Sequence, residues 1–180
     1  MNSILKYWFG FDQTTEELNQ ATYRHLPMLW FKISNETDNE ITRLFATTLN
    51  EAKQGLLEEW NDSVDGSIAL IILYDQLAQC IHRGTPRMFQ FNSKAVIIAI
   101  ELIKNENEFA KISSIEKYFI YSALLNLEDL KTARIGLDGI KKVYEDTALL
   151  LKQKEVFLKY YNSAKKSFGV LAAYGRYFIT

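Results

Sequence analysis

From Ile68 to Tyr74 the chain is almost unbroken hydrocarbon, and within the next three turns it places Asp75, Gln76, Gln79, His82 and Arg83. Elsewhere the apolar positions recur at helical spacing nearly throughout. Thr37-Asp38-Asn39-Glu40 reads as a capping box, followed by Ile41, Leu44, Phe45, Leu49 and Ala52 on one stripe. Thr14 with Glu17, and Ser113 with Glu116, repeat that start signal. Gly84-Thr85-Pro86 punctuates: the glycine ends one helix, Thr85 caps the next and Pro86 suits its first position. A further helix is expected from Asn92 or Ser93 through Ile103. Another follows Asn126 through Leu130, Ala133, Leu137 and Ile140, weakened by Gly136 and Gly139. The last spans about Thr147 to Ala173, with Val156, Phe157, Tyr160, Tyr161, Ala164 and Phe168 on one side. Ile68–Tyr74 and Ala95–Ile100 have the composition of buried strands. They continue in helical register without Gly or Pro at strand-length bounds, so they read as buried helices. The pattern predicts a single all-α domain over 1–180, with about seven to nine helices.

Composition sets the compartment and limits the partners. With 180 residues, 48% hydrophobic and 13% aromatic, the chain can bury a proper core. No apolar run reaches spanning length before a charge interrupts it, and the first residues lack the features of a signal peptide. Cys80 stands alone, so no intrachain disulfide forms. A soluble, cytoplasmic protein is expected. The net charge is −1, but it is unevenly spread: residues 1–130 hold 11 basic and 18 acidic side chains, and residues 131–180 hold 10 and 4. Such asymmetry suits an anionic partner, head-to-tail self-association, or two ends of one fold attracting each other. No nucleic-acid-binding motif accompanies the lysines, which disfavours that partner.

At about 100° per residue, Asp75, Gln79, His82 and Arg83 share one sector of a helix, with Gln76 at its border. An ordinary amphipathic helix surfacing after a buried half gives the same pattern, and periodicity alone favours that reading. His82 reads as a boundary histidine. No second histidine stands at ligand spacing, so neither metal nor cofactor is expected.

Ile4-Leu5-Lys6-Tyr7-Trp8-Phe9-Gly10, Leu29-Trp30-Phe31, Ala52 with Gly55 and Trp60, Ala69 through Gln76, and Arg83-Gly84-Thr85-Pro86 follow one another in an order that resembles the bacterial domain-of-unknown-function 924 family. Phe119-Ile120-Tyr121, Glu128-Asp129-Leu130 and Tyr174-Gly175-Arg176-Tyr177 continue it, so the resemblance covers nearly the whole chain. It implies an all-helical fold with tetratricopeptide-like antiparallel packing, and it brings no established activity. The departures are specific. After Asp-Gln the family usually reads Phe-Pro-Arg-Asn, where this chain has Leu77-Ala78-Gln79-Cys80. Before Glu-Asp it usually reads Pro-(apolar)-Glu-His-Ser, where this chain has Ala123-Leu124-Leu125-Asn126-Leu127. A later family histidine aligns with Ser167, and the family's closing Pro-His-Arg-Asn is absent after Tyr177. The chain therefore resembles a divergent, C-terminally short member.

Asp75, Gln76, Arg83, Glu128, Asp129 and Arg176 are then candidate ligand-binding remnants of a polar pocket shared by the family. General acid–base chemistry near neutral pH favours a histidine or a tuned carboxylate, and the family's histidines are replaced. The expected function is a non-catalytic helical binding or scaffold protein, taking a peptide, a protein or a small polar ligand. The alternative is an enzyme of hydrolase or transferase type, using Asp75, Glu128 or Asp129 with Arg83 or Arg176. The bland reading makes Asp129 a helix-start charge and Arg176 a surface ion pair. Two structural expectations follow: Trp8, Trp30 and Trp60 anchor the core, and Asp75 finds a partner in Arg83, Arg176 or a backbone donor of another helix.

Overall fold

Helices form wherever the sequence repeats its apolar positions at helical spacing, and eight are present among the described residues. The structure, a computed structural model, describes residues 1–10, 34–146 and 151–177, with the side chains of 151–153 excepted. The start signal at Thr14, the segment with Trp30, the first residues of the predicted last helix and the residues after Tyr177 lie outside that range. The helices are α1 (Asn2–Phe9), α2 (Asn35–Lys53), α3 (Val64–Ile81), α4 (Asn92–Lys104), α5 (Glu106–Lys111), α6 (Ser114–Leu125), α7 (Leu130–Glu145) and α8 (Leu151–Tyr174). The expected all-α class is the one observed. One buried cluster runs without interruption from Ile4 in α1 to Leu171 in α8.

The central element is α3, buried on every side from Gly66 to Asp75. By length and composition it would be apolar enough to cross a membrane, contrary to the expectation that no run qualifies. Two-thirds of it is buried against other helices, the position of a core helix. Ser63 caps its start by accepting from the Gly66 N–H at 3.1 Å. Only glycine fits at 66, because a Cβ there would stand 1.9 Å from the Trp60 carbonyl oxygen. Antiparallel to α3 runs α2: the Tyr74 hydroxyl donates to the Ala52 carbonyl at 3.1 Å near one end, and Arg83 pairs with Asp38 near the other.

Helix α2 begins one turn earlier than its apparent capping box. Ser34 is its N-cap, so Thr37 and Asp38 sit inside the first turn and Asp38 is released for a tertiary contact. Ile41, Phe45, Leu49 and Ala52 are buried as the stripe predicts, but Leu44 at its margin is 39% exposed. The box at Ser113 and Glu116 does form, with both reciprocal bonds. Gly84 ends α3's region in the left-handed conformation (φ 76°), and Thr85 and Pro86 open a short 3-10 helix, Pro86–Phe89, ahead of α4.

Gly136 and Gly139, read as weak points of α7, are positions where it packs directly against α6. A Cβ at 136 would lie 2.6 Å from the Tyr121 carbonyl oxygen, and one at 139 would lie 2.1 Å from the Tyr121 ring. Helix α8 closes over this pair through Phe157, Tyr160 and Ala164, with the Tyr118 and Tyr160 rings 4.8 Å apart. Trp8 is buried and packs edge-to-face on Phe119 at 5.5 Å. Trp60 is only half-buried in the 3-10 segment Glu58–Asp62, packed against the margin of the core.

Candidate functional site

The polarity that interrupts α3 coincides with a change in its winding. Residues Ile72–Leu77 form a π-helical turn between two α-helical stretches, the kind of local irregularity that recurs at functional positions. Asp75 lies within it and is 0% exposed. A buried carboxylate is costly unless its oxygens are satisfied. Here each oxygen accepts twice: the Asn126 side-chain amide donates to both at 3.1 Å, Gln76 donates to Oδ2, and Gln79 donates to Oδ1 at 3.5 Å.

Asn126 comes from the C-terminal end of α6, where its own N–H donates to the Ser122 carbonyl at 3.0 Å. Its carbonyl accepts from the side chain of Asn92, the buried first residue of α4, at 2.9 Å. The cage therefore ties the π-turn of α3 to the end of α6 and the start of α4. All of the carboxylate's donors are neutral amides. Burial pushes the Asp75 carboxyl up to about 6, and the hydrogen bonds from Asn126, Gln76 and Gln79 offset only part of that rise.

The six candidate residues do not share one pocket. Asp75 and Gln76 meet in the cage, but none of Asp75's hydrogen bonds comes from Arg83 or Arg176. Asp75's partner does come from another helix, as a side-chain amide instead of the expected arginine or backbone group. Arg83, two residues past the end of α3, grips Asp38 with Nε at 2.5 Å and Nη2 at 3.0 Å. It also approaches the Cys80 sulfur at 3.4 Å. Burial pushes the Cys80 thiol up to about 11, which leaves it protonated and unreactive at neutral pH. Glu128 and Asp129 occupy the exposed turn between α6 and α7. Glu128 accepts from the Tyr177 N–H at 2.7 Å, while the Tyr177 hydroxyl donates to the Leu125 carbonyl at 2.5 Å. Asp129 is the N-cap of α7: it accepts from the Thr132 N–H at 2.8 Å, and that bond holds its carboxyl below the usual range. Arg176 is exposed just beyond α8.

Sequence reasoning missed Asn126 and Asn92 as partners of this cluster, and Asp38 as the partner of Arg83. A signal was present for the first. Gln79 and Asn126 stand where the resembling family carries arginine and histidine, and both departures converge on Asp75. No described group of three or more His, Cys, Asp or Glu side chains is arranged to hold a metal ion.

Comparison with known proteins extends the picture in one direction. No curated protein matches the chain. A solved structure of a protein of unknown function from Agrobacterium tumefaciens is similar in fold, with a TM-score of 0.68 at 22% identity, covering 82% of this chain and 76% of that one. The family described as bacterial protein of unknown function (DUF924) matches residues 4–178, and with that span this chain belongs to it.

Proposed function

We propose that this chain is a non-catalytic helical binding or scaffold protein, in which the polar cluster around Asp75 serves as a structural lock. The observation that carries the reading is the saturation of Asp75: four neutral-amide hydrogen bonds on a carboxylate with no exposure. A general acid or base needs a free lone pair or proton within reach of substrate, and this carboxylate offers neither. Amides at 79 and 126 also remove the cation and the imidazole that the family pattern would bring to the same point. The partner in this reading is a peptide, a protein or a small polar ligand, met by the surface of a tetratricopeptide-like, cytoplasmic helical fold.

One feature favours the enzyme reading: a carboxyl raised to about 6 lies where a general acid–base group operates. The two readings separate in a direct assay. The wild-type chain and Asp75→Asn are compared on chromogenic ester and phosphomonoester substrates. The scaffold reading expects no turnover above the uncatalysed rate by either protein. Turnover by the wild type that the folded variant lacks would establish the hydrolase alternative.

A further inference from the structure

A second group of polar side chains lies apart from the Asp75 cage and shares none of its residues. After Gly84 turns the chain, the 3-10 helix Pro86–Phe89 comes to lie beside the C-terminal half of α2, leaving a cleft of about 340 Å³. That volume is at the lower end of the range for small-molecule sites. Its floor includes the buried ring of Phe91, and its rim carries Lys53, His82 and Arg87 with the amides of Asn50 and Gln90.

The charge of this rim runs against its surroundings. Residues 1–130 hold 11 basic and 18 acidic side chains, yet no described acidic side chain lines the cleft. Neither Lys53 nor Arg87 makes an ion pair with a described residue. Burial, and then the positive charges of Arg87 and Lys53, hold the His82 imidazole below its ordinary range. A neutral imidazole beside two cations supplies an N–H donor without adding to their mutual repulsion. Gathering cations that have no ion-pair partner among the described residues around a concave surface is unfavourable until an anion fills it.

We propose that this cleft binds a phosphate monoester, with the phosphoryl oxygens between Lys53, His82 and Arg87 and the apolar body of the ligand over Phe91. Arginine matches the oxygens through its fork of donors, and lysine adds a mobile point charge. The proposal does not depend on the reading of Asp75, so the two stand or fall separately.

Phenyl phosphate and inorganic phosphate serve as probes, titrated calorimetrically into the full chain in a low-salt, non-phosphate buffer. Saturable one-to-one binding of phenyl phosphate is expected, tighter than that of inorganic phosphate. Lys53→Gln and Arg87→Gln change exposed side chains and are expected to weaken it about tenfold each, with circular dichroism unchanged. Lys131→Gln on the exposed start of α7 should leave it intact. Absence of saturable phenyl phosphate binding at about 10 mM, weak even for a small ligand, overturns the proposal. Binding that neither cleft variant weakens overturns it equally.

Discussion

Asp75 lies inside α3 and Arg83 two residues past its end, and the fold treats their charges in opposite ways. Asp75 is sealed inside the protein among neutral amides, in a π-turn that joins α3 to α6 and α4. Arg83 stands at the partly open end and meets a carboxylate of opposite charge on α2, with side-chain exposures of 29% for Arg83 and 14% for Asp38. The first contact is built from hydrogen-bond saturation in a low dielectric, where a missing donor is expensive. The second is an ion pair near water, where screening and side-chain entropy leave a smaller net gain. One stripe of polar residues in the sequence therefore contains two contacts of different physics.

The largest expected difference between them is in pH dependence. Asp75 has a folded-state carboxyl raised to about 6 against an ordinary value of 3.8. For a raised acid, the stability contribution is full below the unfolded value and is lost as pH rises through the folded one. The wild type should lose on the order of 3 kcal/mol between about pH 3.5 and 7.5 relative to Asp75→Asn, which cannot titrate there. Urea melts of both proteins across that range check this. Parallel profiles would place Asp75 in water.

Removing the donor is the next step down. Asn126→Ala deletes the amide that serves both Asp75 oxygens and should cost about 2 kcal/mol at pH 7.5. The cost should shrink near pH 4, where the carboxyl is already protonated. A loss independent of pH would assign Asn126 a packing role only. The ion pair should respond least. Asp38→Asn is expected to cost about 1 kcal/mol at low salt, and less near 1 M salt, where the Debye length is about 3 Å. A larger, salt-insensitive loss would mean that the pair is as sealed as the cage.

The difference also explains what could be read from the chain before its structure. Local signals were sufficient where the physics is local: the buried first half of α3, the start of α4 at Asn92 and the reciprocal cap at Ser113 and Glu116 all follow from spacing. The capping box at Thr37 does not form because the helix starts three residues earlier, with Ser34 as an extended N-cap that makes no side-chain cap bond. Gly136 and Gly139 look unfavourable by helix propensity, whereas their reason is the Tyr121 backbone and ring on a different helix. The cross-helix partners of Asp75 and Arg83 are 51 and 45 residues away, beyond any periodicity. Only the family pattern pointed across that distance, through the unusual residues at 79 and 126. Trp60 illustrates the opposite failure: its type suggests a core anchor, but a 3-10 segment at the margin leaves it half-buried.

The central claim is that Asp75 is a sealed carboxylate held by neutral amides, and the titration of its side-chain carboxyl carbon by NMR tests that most directly. The account predicts a midpoint near 6 in the wild type, moving higher in Asn126→Ala as two stabilising hydrogen bonds are lost. A wild-type midpoint at or below the ordinary carboxylate range, unmoved by Asn126→Ala, would contradict it.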